Sequence, residues 1–315
     1  TVAIERNLYV FGGYTGSYDD SLYILNLDTN EWQKATTQGQ TPVGRAFHAA
    51  AAVGDVIYVF GGYNAGGLTS NELFSLDTVT MTWTLIAANR HSPSARSEHT
   101  LVSEGELLYL FGGSSVGCYA NDIHIYDAAN ALWATTRDIN EPSKRCAHSC
   151  SMKDGRMIIY GGFDGKHRLK DTNSFIKSAV KWDKKDFHSN VGNRAAHAST
   201  FLGNKMYVFG GWDGQKRLND VGVLNTTNGE WSRPHIKGNP PPGLSYHTAT
   251  CVDNKIYVVG GWTGKERVNE VFVLEEVLPT LADLCIATIV KNPESVGDFG
   301  VLPSDLLDVL EQNVS

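Results

Sequence analysis

Apolar positions along the chain fall into short runs that recur at a nearly constant interval. Six strand-like runs end in paired glycines: LYVFGG to Gly13, IYVFGG to Gly62, LYLFGG to Gly113, MIIYGG to Gly162, MYVFGG to Gly211 and IYVVGG to Gly261. After each comes a second alternating run, as in SLYILNLDTNEW, NELFSLDTVTMTW and NDIHIYDAANALW, with a turn before an aromatic residue. Tryptophans Trp32, Trp83, Trp133, Trp182 and Trp231 close the first five units, and Leu281 stands near that place in the sixth. A repeat of this length predicts stacked supersecondary units, each of several antiparallel strands.

The paired glycines have a physical reason. Without a Cβ the chain turns sharply at the strand end and neighbouring side chains approach closely. The later tryptophan is large enough to fill the gap between adjacent units. These features resemble the kelch repeat over residues 1 to about 275. The resemblance implies an all-β fold, a six-bladed kelch β-propeller of four-stranded blades around a central channel. It also marks a departure, since the last repeat stops without its tryptophan or outer strand. Either residues before Thr1 supply that strand, or the last blade has three strands capped by the segment that follows.

That segment, 276–315, reads as an acidic tail of two short helices. Thr280 can cap a helix with Asp283 at its third position, and Leu281, Leu284, Cys285, Thr288 and Ile289 share one face. Asn292-Pro293 stops it, and a second start lies at Leu302-Pro303 with Leu306, Leu307 and Leu310 following.

Charge and cysteine content narrow the classes. The net charge is −7, and residues 275–315 carry eight acidic residues against the single Lys291, so the first 274 residues are balanced. This balance does not favour a nucleic-acid surface. No run approaches the roughly 18 apolar residues of a membrane span, and the residues from Thr1 show no basic segment, apolar run or small-residue cleavage site, so no secretory signal is expected. Five cysteines (Cys118, Cys146, Cys150, Cys251 and Cys285) without zinc spacing read as reduced thiols in a cytoplasmic or nuclear protein.

In an up-and-down blade, the loop leading into the inner strand and the loop after the second strand open on the same side. The lead-in loop carries Arg-x-x-His at Arg45/His48, Arg96/His99, Arg145/His148 and Arg194/His197, while the last repeat keeps His247 with Leu244 in the arginine's place. The second loop puts an aromatic directly after the glycines at Tyr14, Tyr63, Phe163, Trp212 and Trp262, and Ser114 interrupts the series. Repeats four to six add Lys166, Arg168, Lys216, Arg217, Lys265 and Arg267 at equivalent positions. Such a face suits a peptide with acidic side chains or a free C-terminal carboxylate, because guanidinium grips carboxylate with two prongs. The arginines have an alternative role. Each repeat also holds an acid (Asp20, Glu72, Asp122, Asp171, Asp220 or Glu270), and Arg, His and acid together could tie blades to one another.

No inserted loop interrupts the repeats, and no nucleophile elbow, P-loop, HExxH or helix-opening GxGxxG is present. Some kelch propellers are copper oxidases or nitrile-specifier proteins, but the latter's Glu-x-x-x-Asp-x-x-x-His iron spacing does not occur here. The five repeat histidines read as buried, satisfied polar groups, a channel-mouth metal site being the alternative. The expectation is a binding module without cofactor or metal, not an enzyme.

The tail sharpens the expectation. Thr280, Leu281, Cys285 and Ile289 resemble an elongin-C-binding BC-box, and Leu302, Pro303, Leu306 and Leu310 a cullin-2 box. The resemblance implies a substrate-binding adaptor of a cullin-type ubiquitin ligase, with elongin C and cullin-2 on the tail and a protein or peptide ligand on the propeller face. A scaffold for cytoskeletal or signalling partners is the alternative, and a propeller enzyme the third.

Overall fold

The computed structural model describes residues 1–276 except 137, 139, 184–186 and 188. Thr1–Leu274 form one compact unit, a six-bladed β-propeller of radially arranged antiparallel sheets. Blade one runs outward through Val2–Ile4, Asn7–Phe11, Leu22–Asn26 and Glu31–Lys34. Blades two to five repeat this order from inner strands Ala49–Val53, Thr100–Glu104, Ser149–Lys153 and Ala198–Leu202, and blade two adds Gln38–Gly39 as a short fifth strand parallel to its outer strand Thr82–Ile86. Among the described residues, blade six has three strands: Thr248–Val252, Lys255–Val259 and Val271–Glu275.

The second strand of each blade is packed on both faces by its neighbours. It therefore reads as a continuous apolar run and not as an alternation. In Val56–Phe60, Leu107–Phe111 and Arg156–Tyr160 every residue after the first is buried. The aromatic before each glycine pair meets the tryptophan of the following blade: Phe11 with Trp83 at 5.0 Å, Phe60 with Trp133 at 5.6 Å, Phe111 with Trp182 at 5.1 Å, and Tyr160 with Trp231 at 4.7 Å between centroids. Trp32 departs from this pattern and stays 44% exposed. Its counterpart on blade six is the smaller Val259, and the six-to-one junction is held differently. Leu8, Leu25 and Leu27 pack on Val252, Arg6 pairs with Asp253, and Thr248 bonds Thr1 through their hydroxyls at 2.6 Å.

The lead-in loops bind neighbouring blades at the glycine pairs. The Arg96 carbonyl accepts the Gly62 N–H at 2.9 Å, while its Nη1 donates to the Gly112 carbonyl of the next blade at 2.9 Å. Arg45, Arg145 and Arg194 repeat both bonds. This close approach is why the pair must be glycine. Gly61 and Gly62 have φ of +68° and +93°, and a Cβ on them would lie 2.6 Å from the Arg96 oxygen and 2.8 Å from the His48 Cβ.

Candidate functional site

Two concentric rings form the face where the lead-in and second loops open. The inner ring is the third residue of each lead-in motif, Phe47, Glu98, Ala147, Ala196 and Tyr246, all with positive φ between 52° and 60°. Each N–H from Glu98 onward donates to the carbonyl of the preceding member, at 2.9, 2.8, 2.7 and 2.8 Å. Where the chain of bonds is open, the rings of Tyr246 and Phe47 meet edge to face at 5.1 Å.

The outer ring stands on tight hairpins after the glycine pairs. In Phe-Asp-Gly-Lys-His-Arg and Trp-Asp-Gly-Gln-Lys-Arg, Asp164 and Asp213 accept two backbone N–H groups each and set the turn. The turn brings Phe163 opposite Arg168 and Trp212 opposite Arg217, and Thr263 does the same for Trp262 and Arg267. Each guanidinium then lies over the aromatic of its own hairpin, at 5.4, 4.9 and 5.1 Å. It also reaches the aromatic of the next blade: Arg168 to Trp212 at 5.9 Å, Arg217 to Trp262 at 5.9 Å, and Arg267 to Tyr14 at 4.6 Å. The glycine of the following turn makes room, since a Cβ on Gly264 would come within 2.5 Å of Arg217 Nη1. On the other half of the rim the same positions are neutral. Tyr18 meets Tyr63 at 6.1 Å, Thr69 bonds Ser115 at 3.0 Å, and Tyr119 meets Phe163 at 6.0 Å.

Between the rings a cavity of about 290 Å³ opens over Ala147 and Ala196, the two smallest inner-ring side chains. Its outer wall is Phe163, Arg168, Trp212 and Arg217, and Glu98, Cys146, Ser245 and Tyr246 complete it. Arg217 Nε donates to Ser245 Oγ at 3.1 Å, and Arg168 Nε is buried without a hydrogen-bond partner among the described residues. No carboxylate among the described residues forms an ion pair with Arg168, Arg217 or Arg267. Burial and Glu98 push the Cys146 thiol up, so it stays protonated and inert.

Family comparison agrees with this architecture. The sequence profile described as "KLHDC2/KLHL20/DRC7 Kelch-repeats domain" matches residues 1–211 and again 178–281. The chain belongs to the kelch-repeat family. Among similar proteins, "Kelch domain-containing protein 3" of Rattus norvegicus is 31% identical over 145 residues, covering 42% of this chain and 38% of that protein. "Acyl-CoA-binding domain-containing protein 4" of Arabidopsis thaliana is 34% identical over 136 residues, covering 42% and 20%. "Tip elongation aberrant protein 1" of Schizosaccharomyces pombe is 30% identical over 147 residues, covering 44% and 13%. The matched stretch thus spans well under half of each relative's length.

In this kelch propeller the predicted residues divide sharply. Tyr14, Tyr63, Phe163, Trp212, Arg217, Trp262 and Arg267 do share the rim. Arg45, Arg96, Arg145 and Arg194, read from sequence as possible ligand contacts, are at most 3% exposed. They pair with Glu72, Asp122, Asp171 and Asp220 within their own blades, so their terminal nitrogens are already engaged by a carboxylate and a glycine carbonyl. The histidines are tied in the same layer: His197 and His247 present Nε2 to the carbonyls of Tyr160 and Phe209 at 3.0 and 3.1 Å. The expectation of satisfied histidines is not met, since among the described residues Nδ1 of all five lacks a hydrogen-bond partner and His99 lacks one at Nε2 as well. Thr280, Leu281, Cys285, Ile289, Leu302, Pro303, Leu306 and Leu310 lie outside the described residues.

Sequence reasoning missed the inner ring and the rim tyrosines Tyr18 and Tyr119. The signal was available as the variable position inside an otherwise constant Arg-x-x-His motif. A residue free to vary within a repeat is one the repeat's own packing does not need.

Proposed function

We propose that this kelch protein is a protein-interaction module, the substrate-binding adaptor of a cullin-type ubiquitin ligase, whose propeller face captures a peptide by its C-terminal carboxylate. The observation that carries the ligand reading is the pair Arg168 and Arg217. Two guanidiniums that form no ion pair among the described residues flank one cavity, held in place by aromatic faces. Unlike the buried arginines below them, they have free donors for a bidentate carboxylate contact, in a half-enclosed site where that contact is strengthened. The Ser245 hydroxyl supplies a neutral hydrogen-bonding group at the same wall.

The adaptor half of the reading rests on the BC-box and cullin-2-box resemblance of the tail, and with it a cytoplasmic or nuclear setting. The relatives carry names as different as "Tip elongation aberrant protein 1" and "Acyl-CoA-binding domain-containing protein 4", which supports the scaffold as the second reading. Two experiments separate them. Fluorescent peptides with a free C-terminus should bind the full chain, and their C-terminal amides should not; equal binding of both would remove the carboxylate contact. Elongins B and C should co-purify with the wild type and be lost from Leu281→Ala/Cys285→Ala. Absence of elongin from both preparations would leave the scaffold reading.

A further inference from the structure

The rim of blades one and two carries a row of tyrosines that the carboxylate site does not use: none of Tyr14, Tyr18 and Tyr63 lines the cavity. The row follows from the blade-one hairpin, Tyr-Thr-Gly-Ser-Tyr. It is one residue shorter than the Trp-Asp-Gly-Gln-Lys-Arg turn of blade five and puts Tyr18 where that turn has Arg217. The Thr15 N–H donates to the Ser17 carbonyl at 3.1 Å and closes it. Tyr14 and Tyr18 then lie 4.9 Å apart with their rings tilted by 52°, and Tyr18 reaches Tyr63 of the next blade at 6.1 Å and 53°. Tyr14 is 41% exposed, and a Cβ on Gly13 or Gly16 would meet nothing within 4 Å, so the row is open to solvent. The three hydroxyls make no hydrogen bond among the described residues. Burial, with Tyr63 and Tyr14 close by, pushes the Tyr18 phenol up, so it keeps a proton to donate. Arg267 ends the row, its guanidinium 4.6 Å from the Tyr14 centroid and in no ion pair among the described residues.

We infer that this row is a second interaction surface, which docks a proline-rich segment of a partner protein in the polyproline II conformation, with an acidic residue of that segment at Arg267. Polyproline II makes no internal hydrogen bonds, so its carbonyls are free to accept from phenol hydroxyls while its rings lie against aromatic faces. One turn of it rises about 9 Å, a length that the two ring steps of 4.9 and 6.1 Å together cover. An α-helix satisfies its own carbonyls and would leave the hydroxyls unused. A proline-rich segment also has little conformational freedom to lose, which suits an open row that does not enclose its ligand. The unpaired guanidinium at the Tyr14 end favours an acid there and disfavours a lysine. Neither terminus of the ligand is needed for this contact, so the inference stands apart from the carboxylate reading.

The test uses fluorescent peptides acetylated at the N-terminus and amidated at the C-terminus, so that no terminal carboxylate contributes. One pool has a proline-rich stretch flanked on both sides by Glu, a second replaces Glu by Lys, and a third keeps Glu and replaces the prolines by Ala. They are titrated by fluorescence polarisation against the full chain, Tyr18→Thr, Arg267→Gln and Ala196→Leu, with thermal unfolding to show that each variant is folded. Thr is what blade two itself has opposite Tyr63, so the hairpin accepts it. The wild type should bind the Glu-flanked proline pool about tenfold more tightly than the Ala pool, and Tyr18→Thr should remove that preference. The Glu and Lys pools should differ about threefold in the wild type and be equal in Arg267→Gln. Ala196→Leu, which fills the cavity of the carboxylate site, should leave the proline preference intact. A wild type indifferent to proline, a preference that survives Tyr18→Thr, or one that is lost in Ala196→Leu would overturn the inference while leaving the carboxylate reading standing. A Glu-over-Lys preference that survives Arg267→Gln would overturn the acidic contact.

Discussion

The guanidinium of Arg145 grips the carboxylate of Asp171 with two prongs, Nη1 to Oδ1 at 2.9 Å and Nη2 to Oδ2 at 2.7 Å. The arginine side chain is fully buried and the aspartate 47% exposed, so the partners are not equivalent. Loss of Asp171 leaves a buried cation with neutral acceptors only. Loss of Arg145 leaves a carboxylate that water can reach, but also strips the Gly161 carbonyl of a donor. Asp171→Ala and Arg145→Leu should each cost about 2 to 3 kcal/mol, and the double variant less than their sum. Blade six shows that the fold accepts an aliphatic residue, because Leu244 keeps the backbone bond to Gly211 at 2.7 Å. Urea unfolding of the three variants measures this, and strict additivity would contradict the pairing.

The blade tryptophans should differ in what they contribute. Trp133 is 4% exposed and packed on Phe60, whereas Trp32 is 44% exposed. Trp133→Ala should cost about 3 to 5 kcal/mol and Trp32→Ala under about 1 kcal/mol. Thermal unfolding of the two variants checks the contrast. Equal losses would mean that Trp32 is buried in solution by something the propeller strands do not supply.

Acid should weaken the propeller in two stages. Burial holds His48 and His148 at about 3 and His247 at about 4, and keeps His99 and His197 well below the ordinary range, where Arg96 and Arg194 add repulsion. An unfolded chain takes up these protons near pH 6.5 and the folded chain does not. The unfolded state therefore binds more protons below that pH, and stability falls as pH falls, by up to about 1.4 kcal/mol per unit for each histidine. The carboxylates follow. Burial works against the charge of Asp122 and Asp171, but hydrogen bonds from His124 and Arg96, and from Arg145, hold both below the usual range. Their stabilisation is present above about pH 4 and is lost as pH drops further. Urea midpoints between pH 8 and pH 5 should decline, and His148→Asn should flatten the decline by one proton. A level profile would mean that the histidines are charged or exposed in the fold.

The cavity can be filled without touching a charge. Ala196 is an alanine already held at φ +55°, so Ala196→Leu adds volume without a new backbone demand. It should abolish peptide binding with little change in unfolding temperature. Arg217→Lys keeps the positive charge but loses the planar stack on Trp212 and Trp262 and the two-pronged grip, and should weaken carboxylate-dependent binding about tenfold. Fluorescence polarisation with the free-terminus peptides reads both; wild-type affinity in Ala196→Leu would move the ligand elsewhere on the face.

Much of this was readable from the chain alone. Paired glycines at a steady interval, with an aromatic before them and a tryptophan after, specify a blade through local turn geometry and strand patterning. Six copies in register specify the propeller. The hairpin turns that display Trp212 and Arg217 are equally local, and the same turns set Arg168 beside Phe163 and Arg267 beside Trp262. The tertiary structure alone decided which of two chemically identical sets of arginines is available. Arg145 and Arg217 are the same residue type, and both reach toward the face in sequence, yet one is consumed by Asp171 and the other lies open between indoles. That difference depends on what the neighbouring blade brings within a few ångströms. So do the inner ring, the cavity over Ala147 and Ala196, and the meeting of Glu98 with Tyr246. Their partners are a blade or more away in sequence, and only radial closure of the sheets brings them together.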